Sequence, residues 1–144
     1  MRILFDNNIF DEITENYDFF INTKKNTEFF VSPSALEELA NMKDIKREKR
    51  ITNLISLAQL EPKFLLDAIA ICGYSRCGCC KVSGAKVYKE ILGKSKSIRD
   101  AILAETAVNN DCYLLTNDKN LYKKMKKFGY KVLNIEDFKN EYGK

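Results

Sequence analysis

The chain has 144 residues, of which 45% are hydrophobic and 31% charged, and its net charge is +4. These values predict one globular domain, 1–144, with a single hydrophobic core. The absence of histidine excludes Ser-His-Asp and Cys-His catalysis and His-ligated zinc. No apolar stretch approaches the roughly 20 residues that cross a bilayer, and no signal peptide is recognisable, so we expect a cytoplasmic protein without a membrane partner.

The alternation of strands and helices along the chain predicts an α/β fold. Short apolar runs predict strands at 2–5, 28–32, 112–116 and 131–135. Apolar residues at helical spacing predict helices at 8–20, after Ser32-Pro33, at about 45–60 (with Ile51, Leu54, Ile55 and Ala58 on one side), at 98–109 after Ser97, at 119–128 before Gly129, and at about 136–142. Strands separated by helices predict a three-layer α/β/α sandwich with a mostly parallel central sheet.

The stretch 61–96 carries no clear pattern, and its apolar run at 64–71 could be helix or strand. It contains four of the five cysteines, Cys72, Cys77, Cys79 and Cys80. Their spacing lacks the paired knuckles of structural zinc sites. Free thiols in a reducing compartment are the favoured interpretation, with a metal site and a disulfide or redox role as alternatives. Cys112 opens an apolar strand and is expected in the core.

Four acidic residues are predicted at one edge of the sheet. Asp6 and Asp118 each follow a strand, and ligands of parallel sheets bind beyond the carboxyl ends of the strands. Asp100 lies in the first turn of its helix, and Glu38 lies in the helix that follows the second strand. Asp6 and Asp118 could instead be caps or turn residues, and Asp100 a partner of the helix dipole. Glu37, adjacent to Glu38, is the alternative for the fourth position. Glu105 lies about 140° around the helix from Asp100, so we expect it to be solvated.

Converging carboxylates repel one another and need a positive charge among them. Oxygen ligands without histidine favour Mg²⁺ or Mn²⁺, and such an ion can activate water and offset charge on a phosphodiester. The basic segments 43–50 and 119–131 suggest a polyanionic partner, with a solvated helix face as the alternative for the lysines Lys123, Lys124, Lys126 and Lys127. The sequence therefore indicates a metal-dependent enzyme that acts on a phosphodiester.

The segments "RILFDNN", "SALEEL", "RDAILAETA" and "LLTND" resemble, in order and setting, the motifs of the PIN-domain nucleases. The resemblance covers about residues 1–135, with 61–96 unmatched. It implies a metal-dependent ribonuclease whose catalytic and metal-binding acids are Asp6, Glu38, Asp100 and Asp118, supported by Asn8, Thr116 and Asn117. Asn7 departs from the family pattern, which commonly has Thr or Ser there. Compact members of the family are often toxins held by an antitoxin, and a homodimer is also compatible with it.

Several alternatives remain at the level of sequence. An RNA-processing nuclease would have the same chemistry as a toxin, and a non-catalytic RNA-binding module could use the same fold. A metal or redox sensor could be built on the cluster Cys72–Cys80. A phosphatase of the haloacid dehalogenase type also has a strand-ending Asp, but it needs a second Asp where this chain has Asn8.

Overall fold

The fold is taken from a computed structural model that describes residues 1–41, 47–68, 85–93 and 97–142. Its sheet consists of five strands: β1 (Arg2–Phe5), β2 (Glu28–Val31), β3 (Lys63–Phe64), β4 (Tyr113–Leu115) and β5 (Val132–Leu133). The spatial order is β3-β2-β1-β4-β5, and every neighbouring pair is parallel. Leu4 in the central strand β1 lies beside Phe30 of β2 and Leu114 of β4.

Helices cover both faces of this sheet. They are α1 (Phe10–Glu15), α2 (Tyr17–Thr23), α3 (Pro33–Ala40), α4 (Arg47–Gln59), α5 (Lys86–Leu92), α6 (Ile98–Asn109), α7 (Lys119–Lys127) and α8 (Ile135–Tyr142), with a 3₁₀ turn at Asn7–Ile9. None of the helices in the described ranges is long and apolar enough to cross a membrane. The predicted three-layer α/β/α architecture is confirmed.

Alternation along the strands divides the hydrophobic core into two halves. Phe5 and Phe29 point to the side covered by α1–α4 and α8, where their rings stack with centroids 5.0 Å apart. Leu4 and Leu114 point to the side covered by α5, α6 and α7. Because successive strand residues face opposite ways, β1, β2, β4 and β5 each contribute side chains to both halves, and their sequences are continuous apolar runs. Both residues of β3 are exposed.

Two predicted helical features differ in the structure. The helix predicted at 8–20 is divided into the 3₁₀ turn, α1 and α2, with the break at Asn16. The Asn16 side chain donates a hydrogen bond to the Glu12 carbonyl, 3.1 Å away, which is how asparagine competes with helix continuation. Ser32 and Ser97 occupy the predicted N-cap positions, but neither side chain caps its helix.

The start of α3 is instead capped from a distant strand. Asp67, which follows β3 and is buried, accepts hydrogen bonds from the Ser34 hydroxyl (2.9 Å) and from the Ser34 backbone N–H. Burial raises the pKa of Asp67, and the hydrogen bonds from Ser34 oppose that rise. The sequence left the apolar run that begins at Phe64 and contains Asp67 open between helix and strand, because short apolar runs do not discriminate between them.

Glu105 was expected to be solvated, and that expectation is wrong: only 3% of the residue is exposed. Helix α5, which the sequence did not predict, packs on α6 and covers it. The Glu105 carboxylate accepts hydrogen bonds from the Tyr88 backbone N–H (2.6 Å) and the Asn109 side chain (2.8 Å). A buried carboxylate is tolerated here because hydrogen-bond donors replace the water it has lost.

Helix α4 turns its aliphatic side to solvent. Ile51, Leu54 and Ile55 are 44%, 41% and 54% exposed, although a periodic apolar side usually packs on a core. The buried side carries Asn53, whose amide accepts a hydrogen bond from the Thr14 hydroxyl (2.8 Å) and donates one to Asp11 (2.7 Å). The rotation of α4 is thus fixed by hydrogen bonds to α1 and by the burial of Leu57 and Leu60.

This rotation predicts opposite outcomes for two leucines on one helix. Leu57→Ala should lower the free energy of unfolding by about 2–4 kcal/mol, because it leaves a cavity at a site that is 4% exposed. Leu54→Ala, the matched control, should change it by about 0.5 kcal/mol or less, as surface substitutions do. Urea unfolding of both variants measures the difference. A larger loss for Leu54→Ala would contradict the rotation of α4.

Candidate active site at the carboxyl edge of the sheet

The four predicted acids lie along the carboxyl edge of the sheet. Asp6 directly follows β1, Asp118 precedes α7 just beyond β4, Glu38 lies in α3 and Asp100 lies in the first turn of α6. The negative charges of Asp100 and Glu38 raise the pKa of Asp6. Those of Asp118 and Glu38 raise the pKa of Asp100. The structure thus places Asp100 within electrostatic reach of each of the other three carboxylates. The catalytic and metal-binding roles of the four acids stay a prediction.

Asp6 is the most buried of the four, with 4% of the residue exposed. Its Oδ2 accepts hydrogen bonds from the Thr116 hydroxyl (2.6 Å) and the Asn8 amide (2.9 Å), and its Oδ1 accepts one from the Asn7 backbone N–H (2.7 Å). This last bond makes Asp6 the cap of the 3₁₀ turn. Burial raises the pKa of Asp6 from 3.8 to about 6, and the negative charges of Asp100 and Glu38 add to the rise.

The residues predicted to support the acids form one hydrogen-bond network with Asp6. Asn8 also donates to the Thr116 hydroxyl (3.3 Å) and accepts from the Asn117 backbone N–H (3.0 Å). The Thr116 hydroxyl accepts from the Asp118 backbone N–H (3.0 Å). The chain segments that leave β1 and β4 are therefore joined through side chains as well as through the sheet.

Asp100 and Asp118 face a common cavity of about 270 Å³, which Ser97 and Lys124 also line. Burial raises the pKa of Asp100, and the neighbouring Asp118 and Glu38 raise it further, while the Ser97 hydroxyl and Lys124 oppose the rise. Asp118 caps α7 with a single oxygen, Oδ1, which accepts from the backbone N–H groups of Asn120 (2.7 Å) and Leu121 (2.9 Å). Capping therefore leaves Oδ2 of Asp118 for other contacts.

Glu38 is held by two residues to which the sequence gave no role. Its Oε1 forms an ion pair with Arg99 (2.8 Å), and its Oε2 accepts a short hydrogen bond from the Asn7 side chain. Asn7 is the position that departs from the pattern of the resemblance, and its longer amide reaches across to α3. Arg99 precedes Asp100, and helical geometry alone would place it on another side of α6.

The site's donor chemistry fits a hard divalent cation, since it consists of carboxylate and amide oxygens around an excess of negative charge. Within the described part of the chain, however, no three acidic or cysteine side chains are grouped closely enough to hold a metal ion. Arg99 and Lys124 supply positive charge among the acids instead. Ligation by Glu38 would require its ion pair with Arg99 to open.

The four lysines predicted to bind RNA lie on different sides of α7. Lys124 lines the cavity with Asp100 and Asp118 and donates to the Ile91 carbonyl (3.2 Å). Lys123 lines a separate cavity, to which Asp118 also contributes. Lys126 lies over the ring of Tyr122, and Lys127 lies over that of Phe128. Their role in RNA binding remains a prediction.

The cysteine cluster of Cys72, Cys77, Cys79 and Cys80 lies outside the described residues. Cys112 is a free thiol in the core, as expected, with 1% of the residue exposed. Burial raises the pKa of its thiol, which favours the unreactive protonated form.

No family model and no curated protein matches the sequence. Solved structures do match it. One is a protein from Pyrobaculum aerophilum, with a TM-score of 0.66 and 16% identity over 99% of this chain and 96% of that one. Another is a PilT N-terminus domain protein from Sulfolobus solfataricus, with a TM-score of 0.52 and 15% identity over 99% of this chain and 93% of that one.

The chain has a PIN-domain-like fold. Another solved structure that matches is VapBC2 from Rickettsia felis bound to a DNA fragment from its promoter, with a TM-score of 0.57 and 15% identity over 93% of this chain and 98% of that one. At these identities the likeness concerns the fold. The carboxyl edge of the PIN-like sheet is the edge at which the four acids of this chain lie.

The raised pKa of Asp6 predicts how stability depends on pH in EDTA. The folded protein holds this proton more tightly than the unfolded chain, so the free energy of unfolding should fall as pH rises from about 4 to about 6. The loss of stability caused by ionised Asp6 is fully present above pH 6 and disappears below the ordinary pKa of 3.8. The difference between 3.8 and about 6 corresponds to on the order of 3 kcal/mol.

Asp6→Asn should remove this penalty, because the amide carries no charge at any pH. Urea unfolding of both proteins between pH 4 and 7 measures it, and subtracting the two curves removes the contribution of the other carboxylates. The variant should gain stability over the wild type as pH rises. Parallel curves for the two proteins would show that Asp6 does not titrate in this range.

Proposed function

We propose that the protein is a divalent-metal-dependent endoribonuclease that hydrolyses RNA phosphodiester bonds. The observation that carries this proposal is the buried Asp6 carboxylate, whose pKa is raised by burial and by the neighbouring Asp100 and Glu38. Perturbed carboxylates in one place are typical of functional sites. The PIN-like fold supports a nuclease, and oxygen ligands at the carboxyl edge suit chemistry on a phosphate.

In this proposal Asp6, Asp100, Asp118 and Glu38 would hold Mg²⁺ or Mn²⁺. Binding would require the carboxylates to move closer together than they lie in the described residues, and Glu38 to release Arg99. When bound, the ion supplies Lewis acidity toward the phosphate and lowers the pKa of water, so that no histidine or serine nucleophile is needed. Asn8 and Thr116 orient the Asp6 carboxylate by their hydrogen bonds to Oδ2.

The basic residues of the site have a second role in the proposal. Arg99 and Lys124 lie beside the acids, where a guanidinium or ammonium group can pair with phosphate oxygens of the bound RNA. Lys123, Lys126 and Lys127 would attract the RNA phosphates independently of base sequence. The salt dependence of RNA binding measures this contribution.

The catalytic proposal predicts that Asp100→Asn and Asp6→Asn abolish cleavage of single-stranded RNA, because each removes a charged ligand. EDTA should abolish cleavage by the wild type, and added Mg²⁺ or Mn²⁺ should restore it. Asp111→Asn is the matched control: Asp111 is exposed and pairs with Lys131 at the opposite end of β4, so this variant should keep full activity. The measurement is the initial rate on a labelled RNA.

Thermal melts separate a lost metal site from a lost fold. Wild type should melt at a higher temperature with Mg²⁺ or Mn²⁺, since an ion that binds only the folded state stabilises it. Asp100→Asn should show a smaller metal-induced rise. A wild type that cuts RNA at an undiminished rate in EDTA would refute the metal mechanism.

We further propose that this nuclease is the toxin of a toxin–antitoxin pair. Two observations support it: the fold resembles that of the VapBC2 structure, and Ile51, Leu54 and Ile55 form an exposed aliphatic row on α4. Such rows are typical of surfaces that protein partners cover. The antitoxin would bury this row with an apolar surface of its own.

Co-expression with the adjoining reading frame tests the partner. A stable complex should form and its RNA cleavage should be suppressed at least tenfold relative to the free chain. Leu54→Asp with Ile55→Asp should weaken the complex while leaving the cleavage rate of the free chain unchanged. A complex that forms equally well with this double variant would rule out the α4 row as the contact.

A further inference from the structure

A second cavity, of about 490 Å³, opens between α7 and the start of α8. Asp118 lines both this cavity and the smaller one that it shares with Asp100. The larger cavity is thus a direct neighbour of the acidic site. Lys119 and Lys123, one helical turn apart, contribute positive charge to its wall, and Ile135 contributes apolar surface.

The aromatic wall of this cavity is the ring of Tyr122, which packs against the half of the core covered by α5, α6 and α7 and makes two polar contacts. Its hydroxyl donates a hydrogen bond to Asp137 (2.7 Å), and the Lys126 ammonium lies 5.4 Å from the ring centroid. The residue is only half-buried, so the ring keeps surface that can be covered by a ligand. A ring held in this way loses little conformational freedom when a flat group stacks on it.

Polar groups with spare hydrogen-bonding capacity line the same cavity. The Asn134 Oδ1 accepts from the Asp137 backbone N–H (2.7 Å), and the described residues give its amide nitrogen no partner. The Asn117 amide nitrogen donates to Glu12 (3.3 Å), and within the same ranges no side chain donates to its Oδ1. Glu136 adds an exposed carboxylate. An aromatic platform with donors and acceptors at its edge suits a nucleobase better than a phosphate alone.

We propose that this cavity binds a nucleobase of the RNA beside the cleaved phosphodiester, with the base stacked on Tyr122. The proposal rests on the proposed ribonuclease function and adds a subsite to it. Asn134 and Glu136 contact the edge of the base, and Lys119 and Lys123 contact the phosphate attached to it. The enzyme would then select a flanking nucleotide by its base and not by backbone charge alone.

The test compares two fluorescein-labelled decamers, a mixed-sequence RNA and the same ribose-phosphate backbone without bases. Fluorescence anisotropy is measured in Ca²⁺, and a gel after each titration checks that the probe is intact. Wild type should bind the RNA roughly 5- to 100-fold more tightly than the abasic decamer, the range of one base–aromatic stack. Tyr122→Leu should lower that ratio at least fivefold, whereas Tyr122→Phe keeps the ring and should preserve it.

Two controls isolate the stack. Tyr130→Leu removes a ring that lies before β5, at the opposite end of that strand, and should leave the ratio unchanged. Lys127→Gln removes charge outside the cavity lining and should affect both decamers by the same factor.

Asn134→Ser keeps an oxygen to cap α8 but lacks the amide donor, and it should lower the ratio about 2- to 10-fold, the net effect of one hydrogen bond.

An unchanged ratio in folded Tyr122→Leu and Asn134→Ser would overturn the subsite. Equal binding of both decamers by wild type would do the same. These results are separable from the fate of the nuclease proposal, because the binding assay does not depend on cleavage. A protein that fails to cut RNA in Mg²⁺ or Mn²⁺ but keeps a Tyr122-dependent preference for bases would retain the subsite and lose the catalytic proposal.

Discussion

The buried carboxylate of Asp6 is the group around which the carboxyl edge of this protein is organised. It lies between the chain segments leaving β1 and β4 and accepts hydrogen bonds from Asn7, Asn8 and Thr116. These bonds compensate in part for the lost hydration of the charge, and the raised pKa shows that compensation is incomplete. A stable fold would not need this arrangement, since an apolar or neutral residue there would avoid the penalty.

Positive and negative charges alternate around this carboxylate. Arg99 pairs with Glu38, and Lys124 lies by Asp100 and Asp118. An edge with acids alone would repel RNA, and an edge with bases alone would offer no ligands to a cation. The proposed function would require both kinds of charge on one small surface, acids for a metal ion and bases for a phosphate backbone.

The sequence predicted the parts of the fold that follow from periodicity and from strand direction. Continuous apolar runs located β1, β2 and β4, and their parallel alignment placed Asp6 and Asp118 at one edge. The sequence did not predict contacts made by elements whose local pattern is weak. Glu105 is buried because α5 covers it, and no pattern in the sequence predicted α5.

Helix α4 shows a second limit of periodicity. The spacing of Ile51, Leu54 and Ile55 predicted a helix correctly. It does not determine which side of that helix faces the core, because here polar residues make the tertiary contacts. Asn53 does so through Thr14 and Asp11. In the same way, the motif register led to the prediction of Glu38 but gave no sign of its partner Arg99, because an ion pair between α3 and α6 depends on how the two helices lie in space.

The capping of α3 by Asp67 links the site to the edge of the sheet. Strand β3 is two residues long and, among the described residues, pairs with β2 alone, so it belongs to the part of a sheet that opens most readily. Its departure would carry Asp67 away from Ser34 and leave the first turn of the helix that bears Glu38 without that acceptor. Glu38 lies in the helix that begins directly after β2, the strand next to β3. We therefore expect hydrogen exchange in β3 and at the start of α3 to follow a common opening event.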